Sequence, residues 1–355
     1  MDRRTFLQCT AAASVLPWRP GFAAADWRTF EVVTRIEILK PQGATRVWLP
    51  LPLVEDRSWQ RNLGSHWSGS ASRAQILSDD KYGAAMLYAE WSGGTPVLEL
   101  TSRCATRDHA VDLSRPRGDA ERLSAAEREF FSAPTELIPT DGIVRETANG
   151  IVKNIRGDVD KARAIYEWVV DNTFRDAKVR GCGWGDIKSM LETRNFGGKC
   201  GDLNAMFVGL ARSAGVPARD VYGLRIARSA HGYASLGVGS PNATRAQHCR
   251  AEFFASGYGW VPVDPADVRK VVLEEPPGQL PVNDPKVIAA RQRLFGSWEM
   301  NWLAYNMAHD LSLPHSSGPK LPYLMYPTGE TGGARLDELD PDAFRYTITA
   351  HAVGA

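Results

Sequence analysis

Asn195-Phe-Gly-Gly-Lys-Cys-Gly-Asp-Leu-Asn-Ala-Met-Phe-Val-Gly-Leu-Ala-Arg-Ser-Ala-Gly-Val-Pro-Ala-Arg219 is the most informative stretch of the chain. Gly197 and Gly198 permit a tight turn. Beyond them Leu203, Met206, Phe207, Leu210 and Ala211 lie on one face at helical spacing. Gly215 stands where a helix C-cap falls, and Pro217 follows. Cys200 therefore opens a helix directly after a glycine turn. Helix N-termini stabilise thiolates, which are the nucleophilic form of cysteine. Lys199 adds positive charge there. Asp202 opposes it, although two positions along a helix point its side chain elsewhere.

A nucleophilic cysteine needs a base, and the base needs an orienting carboxylate. After the helix, Asp220 to Ala227 reads as a strand, and a Gly/Ser-rich loop from about Ser229 to Thr244 is a candidate lid. Gln247 to Ala255 and Tyr258 to Asp264 read as two strands joined at Ser256-Gly257, with Pro265 as the stop. Folding His248 against Asp264 centres the hairpin on residue 256. The two side chains are then near-opposite neighbours, with backbones roughly 5 Å apart.

These segments resemble the transglutaminase-like superfamily over about residues 140–270. The resemblance rests on Gly198-Lys199-Cys200 with its helix, Gly215-Val-Pro-Ala-Arg219, His248-Cys-Arg-Ala-Glu252 and Gly259-Trp-Val-Pro-Val-Asp264-Pro265. It implies an α+β fold with a papain/transglutaminase-like core, the Cys on a helix and the His and Asp on adjacent strands. It implies that Cys200 attacks a carbonyl carbon, His248 takes the thiol proton and protonates the leaving amine, and Asp264 orients the imidazole. The Cys200 backbone N–H is the expected oxyanion donor, with Trp184 and Asn195 as candidates for a second. No cofactor is required. One departure is that the family's common His-x-Trp reads His248-Cys249-Arg250 here, which bears on the shape of the acyl-donor cleft.

The other cysteines are weaker candidates. Gly181-Cys182-Gly183-Trp184 superficially resembles a papain-type nucleophile segment, but no apolar-periodic helix starts there, so Cys182 is assigned to a loop lining the cleft. Cys249 alternates to the strand face opposite His248 and is assigned to packing. Cys104 ends a strand in the β-rich region. With spacings of 78, 18 and 49 and no Cys-x-x-Cys pair, zinc is poorly supported, and spacing alone selects no disulfide.

Residues 26–112 read as a β-sandwich-like N-terminal domain. Phe30, Val32, Thr34, Ile36 and Ile38 alternate with Glu31, Val33, Arg35 and Glu37, and Val47 to Leu49, Ala84 to Tyr88 and Pro96 to Leu100 are further short strands. Residues 113–140 read as a linker with a short helix. Residues 141–355 read as the catalytic domain with a C-terminal extension. That region has helices at 141–155, 158–171 and 285–294, and strand candidates at 298–306, 321–326 and 344–350. Trp298 and Trp302 are assigned to packing.

Residues 1–25 resemble a twin-arginine export signal. Arg3-Arg4 precedes Thr5-Phe6-Leu7 and a mildly apolar stretch, and cleavage is expected after Ala25. The implied location is the periplasm or the exterior of a bacterium. The chain has 355 residues with 42 Lys+Arg against 41 Asp+Glu, and removing the signal leaves a net charge of −1. Such a surface gives no long-range attraction to phosphate backbones, so no nucleic-acid partner is expected. No apolar run long enough to span a membrane occurs in the mature form. The expected function is a cysteine peptidase or amidase acting on a peptide or protein amide, with cell-wall peptide as one substrate suggested by location. The alternatives are a transamidase using the same acyl-enzyme, or a non-catalytic binding module on the same fold.

Overall fold

The computed structural model describes residues 26–354, so the stretch read as an export signal, residues 1–25, lies outside the described residues. In chain order the N-terminal strands are β1 (Arg28–Ile38), β2 (Thr45–Pro50), β3 (Gln60–Gly69), β4 (Arg73–Ser78), β5 (Ala85–Trp91) and β6 (Val97–Thr106). Helices α1 (Ala125–Ser132), α2 (Gly142–Ile151), α3 (Asp158–Asn172), α4 (Ile187–Thr193) and α5 (Cys200–Ser213) follow. Then come β7 (Ala218–Arg225), β8 (Gln247–Ala255), β9 (Gly259–Val263), α6 (Pro265–Glu274) and α7 (Pro285–Arg293). The tail contributes β10 (Trp302–Asn306), β11 (Thr328–Thr331) and β12 (Phe344–Val353). The result is the expected α+β architecture.

Two antiparallel sheets make the β-rich part. One has the order β12-β1-β6-β3, and the other runs Ala334–Arg335, β11, β2, β5, β4. The alternation in β1 is explained by what its even-numbered face meets. Ile36 and Ile38 pack with Val47, Leu49, Leu87, Leu98 and Leu100, which lie between the two sheets. Phe30 and Val32, farther back on the same face, pack with Leu224, Leu303 and Tyr305 of the core sheet. One strand face therefore joins the sandwich to the core.

The expected break between a domain at 26–112 and another at 141–355 does not match the sheet topology. β12 pairs with β1 from Thr29↔Val353 to Ile38↔Phe344, and β11 pairs with β2. The C-terminal segment thus completes both N-terminal sheets. Leu321 to Tyr326 does not form a strand, apart from one bridge between Leu311 and Leu321. Leu324 instead packs with Ala308, Leu311 and Leu313 over Trp48, Met86 and Tyr88, covering the outer face of the second sheet.

The core sheet has the order β9-β8-β7-β10, all antiparallel. Helix α5 lies on it, with α2, α3 and α6 around it. Cys200 through Arg212 are all buried, so α5 is central rather than merely amphipathic. The described residues include no helix long and apolar enough to cross a membrane.

Candidate active site

The α5 N-terminus is fixed from two sides. Asp202 accepts hydrogen bonds from the backbone N–H of Trp184 and Gly185 at 2.9 Å each and from Lys199 at 2.9 Å. Gly183 has φ of +90°, and a Cβ there would lie 1.8 Å from Asp202 Oδ2, so only glycine fits. Gly201 N–H donates to Cys182 O at 2.8 Å. Asp202 is thus spent on holding the 183–185 turn, and does not face the thiol as a free charge. Cys200 sits at the first helical position, 3% exposed, and its own N–H makes no hydrogen bond among the described residues.

His248 is on β8 and Asp264 follows β9. The ladder pairs Ala251 with Val263 and Ala255 with Gly259, which centres the hairpin on 257 rather than 256. Continuing that register puts Asp264 opposite Arg250, and His248 becomes its diagonal neighbour on the same face. A diagonal is still within side-chain reach, and His248 Nε2 lies 2.7 Å from Asp264 Oδ2. Asp264 also caps α6, accepting Asp267 N–H at 3.0 Å, with Pro265 at the first helical position. Asn204 Nδ2 reaches Cys249 O at 2.9 Å and Asp264 Oδ1 at 3.4 Å, tying α5 to the hairpin. Trp302 Nε1 donates to His248 O at 2.8 Å.

Cys200 and His248 line the same cleft, and Cys200 shares a buried cluster with Cys182 and Cys249. With Nε2 held by Asp264, Nδ1 is the ring nitrogen left for the thiol. Hydrogen bonds from the Cys182 and Cys249 thiols, then the His248 imidazolium, hold the Cys200 thiol well below the ordinary range against the upward push of burial. Its hydrogen bond to Cys200 and burial push Cys182 up, and burial followed by Cys200 does the same to Cys249. Burial and Arg225 work against a charged His248, but Asp267 and Asp264 outweigh them and its pKa is raised. The arrangement favours a thiolate–imidazolium pair.

Several side chains at this site were not anticipated. Asp267 is 3.4 Å from His248 Nε2 and 2.5 Å from Arg225. The Asp264-Pro265-x-Asp267 pattern of a capped helix was the available signal. Cys182 lines the cleft as expected, but it shares a buried cluster with Cys200, and its sulfur accepts Tyr326 OH at 3.0 Å and lies 3.5 Å from Gln247 O. Cys249 is packed as expected, in the same buried cluster as Cys200. Trp184 and Asn195 are not brought to Cys200. Both are exposed, and they line a separate surface depression. Trp184 points outward because its backbone, not its ring, is what Asp202 holds. All four described cysteines are free.

The cleft above Cys200 measures about 660 Å³. One wall is the 229–244 loop. It is pinned in place, with Tyr233 and Leu236 buried, Leu236 O accepting Arg225 at 2.7 Å, and Ser235 N–H donating to Glu275 at 2.9 Å. The loop expected as a lid stands here as a wall of the cleft. The other wall comes from Tyr326, Leu339 and Tyr346. His248, Asp264 and Asp267 form the one group among the described residues with metal-ligand spacing. The guanidiniums of Arg225 and Arg250 already lie against those carboxylates, at 2.5 and 3.6 Å, and so fit the group poorly to a cation.

A model of the transglutaminase-like superfamily core matches residues 145–265. A Haemophilus influenzae protein with no assigned function is 36% identical over 341 residues, covering 90% of each chain. A crystal structure of a proposed cysteine protease from Cytophaga hutchinsonii covers 94% of this chain and 93% of its own, with a TM-score of 0.58 at 13% identity. The periplasmic domain of TgpA from Pseudomonas aeruginosa covers 68% of this chain and 88% of its own, with a TM-score of 0.34 at 15% identity, too low to support an argument. The fold is the one shared with the Cytophaga hutchinsonii structure, and over residues 145–265 the chain belongs to the transglutaminase-like superfamily.

Proposed function

We propose that the protein is a cysteine-dependent amide hydrolase, a peptidase or amidase, that works through Cys200, His248 and Asp264. The 2.7 Å contact from His248 to Asp264, beneath a cleft that has Cys200 at its base, carries this reading. The Cys200 thiolate attacks the substrate carbonyl carbon. The resulting oxyanion lies near the unbonded Cys200 N–H at the positive end of α5. His248 gives its proton to the leaving amine, and the thioester remains. Water then loses a proton to His248 and attacks the thioester, which releases the carboxylic acid and restores the ion pair.

Hydrolysis of a fluorogenic peptide library by the wild type and by Cys200→Ala tests this reading. Activity that survives in the variant would refute it. Labelling of wild-type Cys200 by iodoacetamide no faster than that of a free thiol at neutral pH would also count against it. We also propose that residues 1–25 send the protein to the periplasm or beyond, and N-terminal sequencing of the exported chain should then begin at Asp26. Mature protein that retains Met1 in the cytoplasm would overturn that proposal.

A further inference from the structure

The overall charge is close to zero, but the cleft is not neutral. Arg175, Arg180, Lys199, Arg225, Arg245 and Lys270 line it, and Glu338 is the only acidic lining residue. The carboxylates that answer these cations lie outside the lining, and there are too few of them. Arg225 is paired with Asp267 at 2.5 Å and Arg180 with Asp337 at 2.6 Å. Arg175 and Lys270 share a single partner, Glu274. The Lys199 ammonium and the Arg245 guanidinium form no ion pair among the described residues. Glu338 is one carboxylate against the two.

The placement of the two unpaired cations gives the surplus a direction. Lys199 is the residue before Cys200, and Arg245 comes three residues before His248. Both line the cleft together with Cys200 and His248. Low-dielectric walls concentrate such a field within a cleft, where water screens it less than on an open surface.

We propose that the substrate is an anionic peptide with a carboxylate close to the scissile amide, held by Lys199 and Arg245. This deepens the hydrolase reading and rests on it for the identity of the bond cleaved, but the charge preference can be measured without turnover. The probe is a rhodamine-labelled hexapeptide with two Glu residues, compared with its Gln twin, titrated into the full chain carrying Cys200→Ala and followed by fluorescence anisotropy. At low ionic strength the Glu peptide should bind roughly fivefold to tenfold more tightly than the Gln peptide. That ratio should fall toward one in 0.5 M salt and in the Lys199→Gln/Arg245→Gln variant. Arg245→Glu alone should reverse the preference, and matching melting curves would show that these side chains leave the fold intact. Equal affinity for the two peptides, a preference for the Gln peptide, or no binding of either at millimolar concentration would overturn the proposal. An inert Cys200 with a clear Glu preference would instead overturn the hydrolase reading alone.

Discussion

The sandwich and the core sheet bury different chemistry. Between the sandwich sheets lie Ile36, Ile38, Val47, Leu49, Leu87 and Leu100, a hydrocarbon interior built by simple alternation. The core sheet buries Arg219 with Glu252, Arg225 with Asp267 and His248 with Asp264. Apolar burial stabilises in proportion to area and depends little on geometry. A buried ion pair barely offsets its own desolvation, and fails badly when one partner is lost. Both regions gain stability from apolar burial, the core sheet through Phe253, Val261 and Val263 against α5, but the core sheet also spends stability on buried fixed charge.

The largest test of this contrast is Cys200→Ala against Leu87→Ala. The first should lower peptide hydrolysis by at least about 10³-fold while the melting temperature hardly moves. The second should leave kcat nearly unchanged for folded protein. A Leu87→Ala enzyme with a comparable loss of kcat would dissolve the distinction.

Next in size is Arg219→Met, which leaves the Glu252 carboxylate buried and unpaired and should cost about 3–5 kcal/mol in urea unfolding. Adding Glu252→Leu should restore most of that loss. If it does not, the pair contributes net stability and the contrast is too sharp. In the sandwich, Leu87→Ala should cost about 2–5 kcal/mol, with no second substitution able to recover it so simply.

A smaller effect is read in pH. Cys200 alkylation should be half-maximal well below the pH of an ordinary thiol. His248→Ala should move that midpoint up, and so should Cys182→Ala, because each removes a group that stabilises the thiolate. The His248 pKa is raised in the folded state, so its contribution to stability is fully present below about 6.5 and is lost as pH rises through the folded value. Urea midpoints measured across that range in wild type and His248→Asn check the sign. The smallest effect belongs to Trp302→Phe. It removes one hydrogen bond to His248 O and part of a fully buried ring, and should cost about 1–3 kcal/mol.

What could be read from the sequence follows the range of the interaction. Helix α5 was legible because Leu203, Met206, Phe207, Leu210 and Ala211 repeat within one segment, and Gly215 closes it. The β8–β9 hairpin was legible as well, but its register was shifted by two when the centre was set at 256. Gly257 and Gly259 both have positive φ, so the turn occupies Ser256 to Tyr258 and the ladder closes at Gly259. The parity survived, which is why His248 and Asp264 still share a face. Strand β3 was missed because it is mostly exposed and shows no apolar alternation. The clustering of Cys182 with Cys200 and the pairing of β12 with β1 were not legible, since a half-buried strand or a loop cysteine carries no local mark of its distant partner.

That last pairing also concerns the order in which the protein is made. β1 leaves the ribosome early, yet one of its two neighbours is Phe344–Val353. At about 5–20 residues per second, on the order of 15–60 s of synthesis separates the two strands. For that interval β1 has an open edge on the side that β12 will cover, a template for pairing with another chain. A nascent chain stalled before residue 344 should therefore be sensitive to protease and prone to aggregate, while one released after Val353 should be neither.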